Sequence, residues 1–264
     1  MNIAHECPLE LLKKSREFND YDYALVHLFE TQPIYYNFFV ESLKRGRKVL
    51  LDNSIFELGT AYNEEEFVKW IEKLKPTEYI IPDVLEDTDK TIANVINWTN
   101  KYNTLPGIKI GVIQGRTKEE TIKCYQEIEP LVDKIAISFD YSFHIKTSVL
   151  NKPTQYLLGR INLLDEIIER GAINFDKPHH LLGCSLPQEF KHYALNKDKY
   201  SFIESIDTSN PIVHGMLGIQ YSEEGLTNKR SIKLVDLLEA ELTEQQRIII
   251  DINVKQFKSF INGK

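Results

Sequence analysis

The chain has 264 residues, a formal net charge of −7 from 32 Lys+Arg against 39 Asp+Glu, and a composition that is 42% hydrophobic and 27% charged. This is the balance of an ordinary globular protein, and its acidity argues against coating nucleic acid through bulk electrostatics while leaving room for a local basic patch. Cys7, Cys124 and Cys184 lie 117 and 60 residues apart, which excludes a disulfide framework and a structural zinc site, and no window reads as a membrane span or a secretory leader, so a cytoplasmic protein with no membrane association is expected.

Seven short apolar runs follow one another: YALVHLF (23–29), KVLLDN (48–53), EYIIPD (78–83), IKIGVIQG (108–115), DKIAISFD (133–140), HHLLGC (179–184) and SFIESID (201–207). Rich in Ile, Leu and Val and closed by polar or glycine residues, they read as strands buried on both faces of a parallel sheet. Helical patterns separate them. EEEFVKWIEKLK (64–75) places Phe67, Trp70, Ile71 and Leu74 on one stripe, and the segment 87–102 does the same with Ile92, Val95, Ile96 and Trp98. TKEETIKCYQEIEPLV opens with Thr117 as N-cap and Glu120 three residues on, a capping-box pattern. The alternation predicts an α/β protein, a (β/α)8 TIM-type barrel with some irregularity and C-terminal helices, forming a single domain over 1–264 with a helical extension at 231–264. PIVHGMLG (211–218) reads equally as the eighth strand or as a loop.

Polar residues recur where the strands end: Asp52, Asp83, Gln114, Ser138, Gly183 and Asp207, separated by 31, 31, 24, 45 and 24 residues. A βα unit is about 30 residues long, so these positions would converge on the rim where barrel enzymes keep their active sites. Asp and Asn also end strands simply because they cap the next helix. That explanation fits Asp207 less well, because TSNPIV after it does not read as a helix, and Gln114 is a poor cap. Facing carboxylates suit chemistry at a sugar anomeric centre, one attacking the carbon and the other managing the leaving group's proton. Asp52, Asp83 and Asp207 are the candidates, and their residue types alone do not distribute the roles.

The ordered set LLDNSIFE (50–57), IIPDV (80–84), GVIQG (111–115), IAISFD (135–140), HLLGCSLPQEF (180–190) and SIDTSNPIVHG (205–215) resembles the tRNA-guanine transglycosylase family, in particular its shorter phage-type members that act on DNA. The resemblance implies a pentosyltransferase that exchanges guanine for a 7-deazaguanine through a covalent glycosyl-aspartate. Asp207 would be the nucleophile and Asp52 the acid and base at the departing base. Asp83 and Gln114 would read the purine edge, and Gly115, Ser138, Phe139, Asn53 and Phe56 would complete the base site. Phe56, Phe139 or Tyr141 could offer a stacking face, although each also reads as a core aromatic.

The family's tRNA enzymes carry a zinc site of three closely spaced cysteines and a histidine, which has no counterpart in this sequence. The expectation is therefore no metal, no cofactor, and DNA as readily as tRNA as the polynucleotide partner. The free 7-deazaguanine base is the second substrate, and a homodimer or a partner subunit remains open. Cys184 and Cys124 read as small buried residues on strand and helix, and His179 and His180 as ordinary strand-flanking residues. Basic residues cluster at Lys44, Arg45, Arg47 and Lys48, which read as solvated surface, and at Lys229, Arg230 and Lys233, which read equally as surface or as phosphate contacts. Two other functions fit the same features: a barrel hydrolase or lyase acting on a small nucleoside or sugar, and a non-catalytic base-binding subunit.

Overall fold

A computed structural model of the chain describes residues 1–140, 150–230 and 232–264. In chain order the elements are β1 (Asn2–Ala4), β2 (Asp22–Leu25), α1 (Pro33–Lys44), β3 (Val49–Asp52), α2 (Glu64–Leu74), β4 (Glu78–Ile80), α3 (Thr88–Lys101), β5 (Ile108–Val112), α4 (Lys118–Ile128) and β6 (Lys134–Ile137). There follow α5 (Lys152–Glu169), β7 (His179–Leu181), α6 (Glu189–Leu195), β8 (Ile203–Asp207), α7 (Asn210–Met216) and α8 (Glu244–Ile261), with short helical turns such as Leu28–Thr31 and Ile55–Leu58 in the connections. The eight strands make one sheet in the order β1-β8-β7-β6-β5-β4-β3-β2. The fold is α/β, a (β/α)8 TIM-type barrel.

The eighth strand is not 211–218. That segment lies mostly in α7, and the remaining strand is β1, which pairs parallel with β8 in the register Asn2↔Ser205, Ile3↔Ile206, Ala4↔Asp207. Three residues give too short an alternation to stand out in a sequence. Because α7 starts at Asn210, Asp207 does precede a helix, contrary to the reading of TSNPIV. The run 23–29 is strand only to Leu25 and then turns into Leu28–Thr31.

Contacts divide the chain into two compact units. One comprises Tyr21–Ile137 with Asp176–His180 and contains β2 to β6. Its helices start as their sequences dictate. Asn63, Asp87 and Thr117 each accept a hydrogen bond from the backbone N–H three residues on, at 3.1, 3.1 and 3.2 Å. The Glu120 carboxylate takes the N–H of Arg116 at 2.8 Å, one residue short of a true capping box. In α2, Phe67, Ile71 and Leu74 are buried, each contributing roughly 1.5–3 kcal/mol. In α3 the buried stripe is Thr88, Thr91, Val95 and Trp98, whereas Ile96 is 43% exposed, so the apolar face is rotated from the expected one. Ion pairs close the strand N-termini: half-buried Arg47 on buried Asp22 at 2.8 Å, and Lys134 on Glu78, both buried, at 2.9 Å. Arg47 is therefore committed to Asp22 rather than to open surface.

The other unit comprises Met1–Asp20, Ser138–Phe175 and Leu181–Lys264. Its core packs α7 and α8 together through Ile212, Val213, Met216, Ile250 and Val254, with Cys7 and Leu11 against them. In this unit Arg160 is fully buried and forms a two-pronged pair with Glu189, Nε to Oε1 at 2.7 Å and Nη2 to Oε2 at 3.1 Å.

Candidate functional site

In the unit built on β2 to β6, three successive strand ends supply a hydrogen-bonded set. β3 ends on Asp52, and the next residues form two overlapping turns in which a short polar side chain binds the backbone two residues on. Asp52 Oδ1 accepts from Ser54 N and Asn53 Oδ1 from Ile55 N, at 2.5 and 3.0 Å. The turns force Ser54 into the left-handed region at φ 60° while it is fully buried. Such a conformation costs a non-glycine residue about 1–2 kcal/mol and clusters at functional sites. The other carboxylate oxygen of Asp52, Oδ2, accepts the hydroxyl of Tyr23 at 2.6 Å, and the Tyr23 ring stacks on His180 with centroids 6.2 Å apart.

Asp83 lies three residues beyond β4 and is almost wholly buried. Asn53 Nδ2 donates to its Oδ1 at 2.8 Å and Gln114 Nε2 to its Oδ2 at 2.6 Å. Burial pushes the Asp83 carboxyl above the usual carboxylate range, and these two donors pull it back only in part. Gln114, two residues after β5, is fixed at its other end because Oε1 accepts the N–H of Glu86 at 3.0 Å. Glu86 holds φ 57°, a second left-handed residue, in the turn that leads into α3. Gly115 has a packing role: a Cβ there would lie 2.7 Å from the backbone nitrogen of Thr121. Phe56, in the turn after Asp52, is 52% exposed. His179 and His180 are completely buried, not strand-flanking as their sequence position suggested.

In the other unit, β8 ends on Asp207, which is 3% exposed and accepts the N–H of Gly183 on Oδ1 at 3.3 Å. Gly183 adopts φ +63°, and a Cβ on it would sit 2.8 Å from Phe139 Cδ1. The preceding turn is held by Arg160, whose Nη1 and Nη2 donate to the carbonyls of Leu182 and Gly183 at 3.0 and 3.1 Å. Lys229 Nζ donates to the Cys184 carbonyl at 2.9 Å and lies 4.2 Å from the centroid of the Phe139 ring. Ser138 and Phe139 follow β6 directly, Ser138 Oγ accepting the N–H of Asp140 at 3.5 Å. Tyr141 lies outside the described residues.

No family model and no curated protein matches the chain. Among solved structures, the carboxyl transferase domain of Rhizobium etli pyruvate carboxylase, with 3-bromopyruvate, is similar at 11% sequence identity and a TM-score of 0.44. The match covers 92% of this chain, which spans 40% of that one.

Among the described residues, no group of three His, Cys, Asp or Glu side chains could hold a metal ion, and no helix is long and apolar enough to cross a membrane. All three cysteines are buried and none is in a disulfide, and burial raises the Cys124 thiol to about 11. The structure thus brings Asn53, Asp83 and Gln114 into one hydrogen-bonded network, with Asp52 next to Asn53 in the chain and bonded instead to Tyr23 and Ser54, and, separately, sets Asp207 and Phe139 against Gly183. Tyr23, Arg160 and Glu189 did not stand out in the sequence. Tyr23 sits inside an apolar run and reads as core. Arg160 left one signal, an isolated cation in the apolar stretch YLLGRINLL.

Proposed function

We propose that the chain is a pentosyltransferase that exchanges guanine for a 7-deazaguanine in a nucleic acid. The observation that carries this reading is the Asn53–Asp83–Gln114 network at the ends of β3, β4 and β5. It is a rigid array of acceptors and donors in which Asp83 keeps lone pairs and Gln114 keeps one N–H for the edge of a purine. Barrel enzymes keep their reacting groups at these C-terminal strand ends.

In the proposed reaction an Asp207 carboxylate oxygen attacks C1′ of the target nucleoside. The C1′–N9 bond breaks with its electron pair passing to guanine, and Asp52 supplies the proton that neutralises the base. The incoming 7-deazaguanine gives its N9 proton back to Asp52 and attacks C1′, the C1′–Oδ bond breaks, and Asp207 is released. Two displacements restore the original configuration at C1′ and leave the phosphodiester backbone intact. The absence of a zinc motif from the sequence supports DNA as readily as tRNA.

The test is incorporation of labelled guanine into DNA and into tRNA by the wild-type protein and by Asp207→Asn and Asp207→Ala. Exchange by the wild type, a covalent adduct on denaturing gels, and the loss of both in the variants are expected. Wild-type rates in either variant would remove Asp207 from the mechanism, and no exchange or 7-deazaguanine binding by the wild type would remove the function.

A further inference from the structure

Lys229 is an ammonium held where an ammonium alone has little reason to be. It is half-buried, and among the described residues no carboxylate lies within ion-pair distance of it. Residues 141–149 and 231 contain no Asp or Glu. Among the described residues its one hydrogen bond from Nζ goes to the Cys184 carbonyl, and one side of the ammonium rests on the Phe139 ring. Burial draws its pKa down, with Glu6 and Asp140 opposing this only through longer-range attraction. An ammonium has three donors, so donor capacity remains after the carbonyl is satisfied. Withdrawing a cation from water without an anion is unfavourable, and a ligand that brings the anion offsets the cost.

The placement is specific. Lys229 binds the carbonyl of Cys184, and Asp207 binds the N–H of Gly183, the residue before it. Consecutive Cα atoms are about 3.8 Å apart, so the cation and the carboxylate flank one short turn. A sugar carbon presented to Asp207 carries its 5′ and 3′ phosphates within one nucleotide's length. Gly183, with no side chain, lets Phe139 close against the turn and support the ammonium from behind.

We propose that Lys229 is a phosphate-binding residue, which takes an oxygen of a phosphate on the nucleotide whose sugar faces Asp207. The assignment rests on the transglycosylase reading for the role of Asp207, and it names the substrate class: a nucleotide, not a free nucleoside. A charge-assisted hydrogen bond of this kind strengthens phosphate binding well beyond what a neutral donor gives.

The experiment compares deoxyguanosine, deoxyguanosine monophosphate and a short guanine-containing oligodeoxynucleotide by titration calorimetry, with the wild type, Lys229→Gln and Lys229→Arg. The wild type should hold at least one phosphate-bearing ligand about tenfold more tightly than the nucleoside. That ratio should fall toward one in Lys229→Gln and largely recover in Lys229→Arg. An advantage confined to the oligonucleotide assigns the contact to a phosphodiester, and one shared by the monophosphate assigns it to a terminal phosphate. In the wild type the ratio should also shrink as salt is raised, a measurement that needs no variant to fold. Equal ratios in wild type and Lys229→Gln, or a salt-independent wild-type ratio, would overturn the proposal and leave Lys229 as a tether of its loop. If no ligand binds the wild type, inorganic phosphate is the probe. Saturable thermal stabilisation that disappears in Lys229→Gln supports the site although the transglycosylase reading has failed, and no stabilisation overturns both.

Discussion

The hydroxyl of Tyr23 donates a 2.6 Å hydrogen bond to Oδ2 of Asp52 across the parallel pair β2–β3. With Ser54 N on the other oxygen, both lobes of the carboxylate are oriented. Tyr23→Phe should therefore lower kcat for guanine exchange about tenfold, which is roughly 1.4 kcal/mol of barrier, and change KM less. A KM effect with kcat intact would mean that Tyr23 serves binding, not Asp52.

Arg160 and Glu189 form a pair with both side chains at 0% exposure. Arg160→Met leaves a buried carboxylate without its cation, and Glu189→Ala leaves the converse; each should cost about 3–5 kcal/mol in urea unfolding. The double replacement Arg160→Met with Glu189→Met should recover much of that loss. Additive losses would show that the pair's members act independently.

Gly183→Ala puts a methyl group into the space of the Phe139 ring at a backbone angle that alanine avoids. A loss of about 1–3 kcal/mol is expected, with weaker binding of whatever Lys229 holds over that ring. Stability unchanged within a few tenths of a kcal/mol would contradict the close approach.

Burial pushes His179 down to about 4 and His5 down to about 3. His179 is satisfied as the neutral form: Nδ1–H meets the Lys177 carbonyl at 2.8 Å and Nε2 accepts Tyr125 O–H at 3.0 Å. Because both folded pKa values lie below that of an unfolded histidine, the unfolded chain takes up protons first as pH falls. The protein should be at full strength above about pH 6.5 and lose stability down to about pH 4 through His179, with His5 continuing to about pH 3. The His179 share is on the order of 3 kcal/mol. Urea unfolding from pH 7 to 4 measures the slope, and His179→Gln should flatten it.

The sequence carried the sheet well because strands buried on both faces are near-continuous runs of Ile, Leu and Val, and seven of the eight stood out. β1 did not, being three residues long, and α7 was hidden by the glycine and proline in NPIVHGM. Asp52, Asp83, Gln114 and Asp207 were visible as polar residues closing apolar runs. Their supporting partners were not. Tyr23 and Arg160 look like core until the fold shows that one reaches a carboxylate from the adjacent strand and the other spans to α6 and the 182–183 turn. Contacts of that kind depend on neighbours 20 to 30 residues away, beyond any local pattern.

The pairing of β1 with β8 has a temporal side. His5 and Thr208, joined through the ring Nδ1 and a carbonyl at 3.4 Å, are 203 residues apart in the chain. At roughly 5–20 residues per second of synthesis, β1 leaves the ribosome some tens of seconds before the strand that bears Asp207 exists to receive it. During that wait a longer apolar strand would be an adhesive edge for other nascent chains. Asn2–Ala4 is too short to template such pairing, so the brevity that concealed this strand also lets it wait harmlessly for its partner.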